Sequence, residues 1–443
     1  MKINRNIPLD TRYNLPKQVK IIHHSGKILI IAPECCNYIV LDNKVQYQFY
    51  QLLENYILGE ALSKMSISKA DAQAVLVQIE AKQFIDKKVP KTNGQFQMHM
   101  FLTNACNLRC RHCYMFSGQR KTNELSLNEI KSILCSFKAH DGKFVTFSGG
   151  EVLMRKDLTS ILQLAKELQL SITIMTNGIL WTEPLVEQAA KCVSAIQISI
   201  DGFNEEENAK VRGNACFEKS LKAVELFLYQ GVRVTIAMTP WYDEKLFTQK
   251  EQYLDFVKEM KNKYQGYPLG FKFTSDIMDG RDLSLSKTEH ERYFNFMQEI
   301  SNYESENKEE DIFVYNQQNR ILKDSWCTFG HLTISADGDV YLCGKVNMTK
   351  PICNIRNVDL DAIMELSSKA RNLSKVQNLF PCKECELRYI CGGGCRIEYF
   401  EWFRECKGLK NNMLSTPLIR KCDFSIKQHY YDLMIKANYK LFK

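Results

Sequence analysis

No run of about 18 apolar residues occurs in this 443-residue chain, and its opening stretch, "MKINRNIPLDTRYNLPKQVK", has no apolar core of signal-peptide length. A membrane span and a secretory signal are therefore not expected, and the cytoplasm is the expected location. Charge of one sign is scarce as well. The 59 Lys+Arg against 51 Asp+Glu leave a net +8, a mild bias at this length that falls short of a nucleic-acid footprint. Neither membrane nor nucleic acid is an expected partner. With 45% hydrophobic residues, what remains is a globular chain long enough for two or three domains.

Cysteine, by contrast, is plentiful. In a reducing compartment seventeen cysteines read first as metal or redox ligands, not as disulfides. Cys135, Cys192 and Cys216 have no partner spacing and read as small core residues. The others cluster. "CNLRCRHCY" sets Cys106, Cys110 and Cys113 at C-x3-C-x2-C just after an alternating apolar run. Thiolates select zinc or iron–sulfur centres, and structural zinc takes a closed shell of four. Three thiols suit a four-iron cluster whose last iron is left open for a substrate. Downstream, Cys382, Cys385, Cys391 and Cys395 follow C-x2-C-x5-C-x3-C, and Gly392 to Gly394 let the backbone fold close to a cluster. Cys327 and Cys343 lie in "CTFGHLTISADGDVYLCG", whose "ADGDVYLC" segment reads as a hairpin delivering Cys343 from its returning strand. Cys422 lies beyond the tetrad and is placed to complete its shell.

Three zones follow from composition. Residues 1–92 read as a small α/β module: two strands around a Pro-containing turn, then two helices, the second N-capped by Ser68. That order is winged-helix-like. Residues 93–310 alternate apolar strands ("FQMHMFL", "KFVTFSGGE", "LSITIMTNG", "SAIQISIDG", "VRVTIAMTP", "GFKFTSD") with helical stretches, the pattern of parallel βα units in an α/β fold. Ligands in such folds sit at the C-terminal strand ends. The acidic run "ESENKEED" near residue 304 reads as a solvated linker. Residues 326–430 hold nine cysteines and little periodicity, as expected of a domain stapled by metal.

C-x3-C-x2-C after a first strand, "SGGE" after the second and the spaced thiols from Cys327 to Cys422 together resemble the radical S-adenosylmethionine (SAM) enzymes with a SPASM extension, over about residues 95–430. The resemblance implies a partial (β/α)6 TIM-type barrel followed by a C-terminal iron–sulfur domain. It implies a [4Fe–4S] cluster on Cys106, Cys110 and Cys113 whose open iron binds SAM, and one-electron reduction to a 5′-deoxyadenosyl radical that abstracts a substrate hydrogen. Ser148, Gly149, Gly150 and Glu151 form its SAM-binding turn, with Gly149 to Glu151 near the SAM amino group. His112 matches an adenine contact, Asn177 a ribose contact, and Ser199 and Arg212 polar residues near the SAM carboxylate. The family's "HD" before "xxRG" is Asn208-Ala209 here, which loosens the Arg212 assignment.

One or two auxiliary [4Fe–4S] clusters are also implied. Cys382, Cys385, Cys391 and Cys422 form one complete set. Cys327, Cys343 and Cys395 form another that lacks a fourth thiol, since Ile321 stands where it is expected and no cysteine lies between Cys216 and Cys327. Cys353, Cys406 or an open iron then fills that place. Asp276, at the end of the sixth strand, is the candidate acid or base.

The first zone resembles the leader-peptide recognition element of peptide-modifying enzymes, which would take the leader as an added strand. The expected function is therefore radical modification of a ribosomally synthesised precursor peptide by crosslink, thioether or epimerisation. The expected reductant is a low-potential flavodoxin or ferredoxin. A sulfatase-type maturase oxidising Cys or Ser in a protein is the alternative. A zinc-dependent DNA-binding protein is the alternative of another class, disfavoured because "KADAQAVLVQIEAK" offers no arginine and few base-reading side chains.

Overall fold

The computed structural model describes residues 7–87, 96–275, 277–304, 323–325, 327–346, 348–399 and 422–442. Near the N-terminus, β1 (Lys20–His24), β2 (Lys27–Ala32) and β3 (Asn37–Leu41) form an antiparallel sheet, followed by α1 (Lys44–Leu53), α2 (Leu58–Ser63) and α3 (Lys69–Ala81). Asn43 and Ser68 cap α1 and α3 by accepting from the amides of Gln46 and Asp71. Strand β1 and helix α2 were not expected from sequence; β1 is largely exposed and polar and carries little apolar pattern. Ile28, Ile30, Ile39 and Leu41 pack on α1 and α3, whereas Leu29, Ile31, Tyr38 and Val40 pack on the C-terminal helix Phe424–Phe442 through Tyr431, Met434 and Ala437. Both faces are covered, so β2 and β3 read as unbroken apolar runs instead of alternating ones.

The six expected strands are present and parallel in sequence order: β4 (Phe96–Phe101), β5 (Gly142–Ser148), β6 (Ser171–Thr176), β7 (Ala195–Ser199), β8 (Arg233–Met238) and β9 (Leu269–Phe273). Their helices are α4 (Leu127–Ala139), α5 (Leu158–Glu167), α6 (Glu183–Ala190), α7 (Glu205–Arg212), α8 (Phe217–Tyr229), α9 (Lys250–Lys263) and α10 (Lys287–Glu304). Val145, Phe147, Ile172, Ile174, Ile196, Ile198, Val234 and Ile236 fill the strand–helix core. The alternate side chains, among them His99, Thr146, Thr173, Met175, Gln197 and Thr235, are only half-buried and line the inner face in register. The result is a core with a polar, accessible interior.

The sheet does not stop at β4. Strands β10 (Leu332–Ile334), β11 (Asp339–Tyr341) and β12 (Cys353–Asn354) extend it to nine, with β10 parallel to β4. The expected "ADGDVYLC" hairpin is thus welded onto the first barrel strand, with Cys343 two residues past the end of β11. Helix Leu360–Leu373 packs beside it. Among the described residues no helix is long and apolar enough to cross a membrane. Asp276, Ile321, Cys406 and most of the acidic linker lie outside the described residues. Of the three thiols read as core, Cys216 is buried and Cys192 half-buried, but Cys135 is exposed, because it sits off the Ile130, Ile133, Leu134, Phe137 stripe of α4.

Arg356, just after β12, grips Glu129 of α4 in a two-pronged pair at 2.6 and 3.2 Å. The guanidinium, with the Ser126 amide, holds the Glu129 carboxyl down from its ordinary 4.5 to about 2. A carboxyl depressed in the fold adds stability above its unfolded value and loses it as pH falls through the folded one. In urea titrations the advantage of the natural protein over Glu129→Gln should be constant above about pH 5, stay under about 1 kcal/mol for this partly exposed pair, and close toward pH 2.

Candidate active site and auxiliary metal centres

The Cys106–Cys113 loop leaves the C-terminal end of β4 and is tied at many points. Cys106 N–H donates to Gly118 C=O (2.9 Å) and Cys113 N–H to Cys110 C=O (3.2 Å). Arg281 reaches across to donate to the carbonyls of Cys110 (3.0 Å) and Ser117 (2.5 Å). All three thiols are half-buried. Burial pushes Cys106 up to about 11 and also raises Cys110, while Arg212, whose Nη1 lies 3.8 Å from Cys110 Sγ, works against that rise. Burial thus disfavours the thiolates of Cys106 and Cys110, and bound iron would supply the positive charge that favours them.

The turn after β5 is zipped to the same loop: Gly150 N–H donates to Thr103 C=O and Glu151 N–H to Ala105 C=O, each at 2.8 Å. Glycine is required at this approach. A β-carbon on Gly149, whose φ is +145°, would stand 2.4 Å from the Thr103 oxygen, and one on Gly150 would stand 2.3 Å from the Ala105 oxygen. Gly150→Ala should push the turn off the cysteine loop, costing several-fold or more in SAM affinity by equilibrium dialysis and on the order of 2 kcal/mol or more in stability. Glu151 is fully buried and its carboxylate accepts from Thr176 Oγ1 (2.7 Å) and the amides of Asn177 (2.8 Å) and Leu153 (3.3 Å). Burial raises its pKa, and the three donors make it a strut between β5 and β6. Asn177 Nδ2 in turn donates to Asn107 Oδ1 (2.8 Å), bracing the cysteine loop. Ser148 Oγ contacts His99 Nε2 at 2.6 Å, and Ser199 ends β7, half-buried on the inner face.

Sequence reading missed the residue that organises the far wall. Asp201, in the "SIDG" segment, is buried; its Oδ2 meets Arg212 Nε at 2.7 Å and His112 Nε2 at 3.0 Å, and its Oδ1 accepts from Thr239 N–H at 2.7 Å. Burial disfavours the carboxylate, but Arg212 and His112 outweigh it and hold the group below its usual range. Asn208, where the family has another residue, is fully buried and accepts from Asp201 N–H at 3.0 Å. Arg212, one turn along α7, still reaches the site. His99 was missed too; burial and Lys272 push it down to about 4, so it is a neutral imidazole in the barrel.

In the C-terminal domain, Cys382, Cys385, Cys391 and Cys422 all border one cavity of 210 Å³. Gly392, Gly393 and Gly394 have φ of 68°, 84° and 70°, a left-handed run closed to ordinary side chains. Cys395 leaves that cavity and packs with Cys327 and Cys343 on a second apolar cluster. Next to it Arg396, fully buried, donates to carbonyls of Ser374, Gly392 and Gly394. A buried cation offsets the negative charge of a thiolate-bound cluster. Among the described residues no three His, Cys, Asp or Glu side chains converge on a point where they could hold one metal ion. Thiolates of a four-iron cluster each bind a different iron, so its ligands need not meet at one point. The donors present fit iron–sulfur clusters.

Residues 100–246 match the family model described as the radical SAM superfamily. That stretch holds the cysteine loop and strands β5 to β8. Residues 326–386 match the SPASM iron–sulfur cluster-binding domain. A radical SAM domain implies a [4Fe–4S] cluster and SAM, and a SPASM domain binds auxiliary iron–sulfur clusters.

The chain is similar to the mycofactocin maturase MftC of Mycolicibacterium smegmatis (36% identical over 125 residues, 28% of this chain and 32% of that one). It is also similar to the sporulation killing factor maturation protein SkfB of Bacillus subtilis (26% over 293 residues, 64% and 67%) and to the AdoMet-dependent heme synthase of Methanosarcina barkeri (25% over 336 residues, 70% and 94%). The chain spans about a third of the length of the mycofactocin maturases it matches. Among solved structures, native anSMEcpe with bound AdoMet superposes with a TM-score of 0.52 at 18% identity, covering 77% of this chain and 99% of that one, and shares the fold.

Proposed function

We propose that this chain is a radical SAM maturase that modifies a ribosomally made precursor peptide, and that the peptide's leader docks on the N-terminal sheet. One observation carries the leader's role: among the described residues no strand pairs with the outer edge of β1, which lies beside the iron–sulfur domain. Ser25 and Gly26 make a two-residue turn with positive φ, closed by the His24–Lys27 pair. Such a closing pair is hydrogen-bonded and the bonding alternates from there, so the backbone groups of Ile21 and His23 point outward.

The opposite edge is filled. Gln78 exchanges hydrogen bonds with Val40 N–H and C=O (2.9 and 2.6 Å), Lys82 donates to Tyr38 C=O (3.2 Å) and Gln46 accepts from Asp42 N–H (2.8 Å). A cavity of 470 Å³ runs from Ile21–His24 to Cys422, Phe424 and Lys427. An added strand on β1 would lie there, with main-chain pairing for affinity and this cavity for side-chain choice. The names of MftC and SkfB as maturation proteins support a peptide substrate.

Cys106, Cys110 and Cys113 would hold a [4Fe–4S] cluster, which when bound would supply the electron for reductive cleavage of SAM. The chain's own residues hold the reactants: Arg212 and His112 are fixed by Asp201, the glycine turn lies against the cysteine loop, and the half-buried barrel lining receives the substrate. The bond formed in the peptide is a crosslink, a thioether or an inverted centre.

His23→Pro removes one outward amide from an edge strand, where proline is tolerated. It should weaken peptide binding by roughly tenfold, the worth of about one well-made hydrogen bond, and leave SAM cleavage unaltered. An unchanged peptide affinity in His23→Pro, with a changed one in Gln78→Ala, would move the docking edge to β3. The M. barkeri heme synthase, nearly all of whose length is matched, favours a porphyrin substrate as the second reading. Conversion of a supplied iron porphyrin to heme by the reduced protein, with no change in any supplied peptide, would establish it.

A further inference from the structure

The set Cys327, Cys343 and Cys395 has no assigned fourth thiol; in its own part of the sequence only Cys353 and Cys406 belong to neither set. We infer that Cys36, from the turn between β2 and β3, is the fourth protein ligand of that auxiliary cluster. This rests on reading the three thiols as an iron–sulfur site.

The turn presents two adjacent cysteines in opposite directions. Cys35 belongs to the core of the N-terminal domain, among Ile30, Ile39 and Phe84. Cys36 belongs to a different packed cluster, made otherwise of C-terminal residues: Phe329, Leu342, Val376, Leu379, Cys382, Tyr389 and Ile397, with Cys327, Cys343 and Cys395 against it. It is 1% exposed. The backbone at Cys36 is left-handed (φ 47°, ψ 46°), a conformation that a β-carbon disfavours, and the residue is not glycine. A disfavoured conformation persists where its surroundings over-determine it, commonly at a functional site. The docking is held on either side. Arg388 pairs with Glu34, and Tyr38 Oη donates to the Met434 carbonyl at 3.0 Å.

The other described candidate is placed differently. Cys353, in β12, packs on the barrel core cluster, which contains none of Cys327, Cys343 and Cys395; its neighbour Ile352 packs against both clusters, but Cys353 itself is not among the residues against the Cys36 cluster. Cys382 shares the Cys36 cluster but also borders the cavity of Cys385, Cys391 and Cys422, the complete set. On binding, the Cys36 thiol gives its proton to solvent and the thiolate takes the fourth iron; no electron is transferred. The consequence is a covalent tie between the proposed leader-docking domain and an iron–sulfur centre.

The test uses the full chain with Cys106, Cys110 and Cys113 all replaced by alanine, so that only auxiliary clusters load. After anaerobic reconstitution, iron and sulfide are counted, and electron paramagnetic resonance is recorded after mild ferricyanide oxidation. In this background Cys36→Ala should bind less iron than sulfide and show a [3Fe–4S] signal that the parent lacks. Cys35→Ala, in the same turn, and Cys353→Ala should match the parent, and Cys327→Ala should show a deficit of its own. Cys36→Ser, which keeps the size of the side chain, should show an intermediate loss with an unaltered circular dichroism melt, separating ligation from folding. Parent-like iron in both Cys36 variants overturns the inference, as does a deficit confined to Cys353→Ala. A parent that binds no iron and sulfide overturns the iron–sulfur reading itself, and the inference with it.

Discussion

Replacing Cys113 by alanine should abolish release of 5′-deoxyadenosine from SAM by the reconstituted, reduced protein, a fall of at least about 10³-fold, as expected when one member of a unit that acts together is removed. The loop offers three thiols, with Cys113 N–H bonded to Cys110 C=O, and among the described residues the other wall offers no replacement: it is Gly149, Gly150 and the engaged carboxylate of Glu151. Auxiliary iron should persist in this variant, because Cys382, Cys385, Cys391 and Cys422 border a separate cavity. Liquid chromatography of the quenched reaction reads the first effect and iron analysis the second. Equal release from the natural protein and the variant would remove the catalytic cluster from this loop.

Asp201→Ala should be the most damaging single change away from the cysteines. It leaves Arg212 and the His112 ring without their shared carboxylate, in a wall where the side chains of Asp201 and Arg212 are 1% and 9% exposed. Breaking a buried pair by removing one partner costs about 3–5 kcal/mol, since the remaining charge stays buried and uncompensated. Asp201→Asn keeps the shape and should recover part of the stability, but it no longer holds Arg212 by charge, so SAM affinity should stay low in both variants. Urea unfolding and equilibrium dialysis separate the two effects. Natural stability and SAM affinity in Asp201→Ala would reduce this residue to a space-filler.

The elements best legible in sequence were those with a strong local signal. Six strands bounded by turn residues gave the parallel core, because each needs only its own apolar run and a polar end. The "ADGDVYLC" hairpin was legible from Gly338, whose φ is +89°. Residues whose role comes from distant contacts were harder to see. Asp201 stands next to quoted residues, yet only folding sets it against His112, 89 positions away. Strand β1 carries no apolar alternation, because it lies at an edge. Cys36 read as part of a turn because its neighbours in space begin near residue 327. The order of strands and helices in the first zone suggested a recognition domain, but which edge is open depends on Gln78 and Lys82, side chains of a helix three elements later.

The central claim is that radical chemistry here begins at a peptide. The most direct measurement supplies the reduced, cluster-loaded protein with SAM and a candidate precursor peptide, deuterated at carbon, and follows the mass of 5′-deoxyadenosine. Hydrogen abstraction from the peptide predicts deuterium in the released 5′-deoxyadenosine and a matching change in peptide mass. Abundant 5′-deoxyadenosine that carries no deuterium, beside an unaltered peptide, would contradict the account.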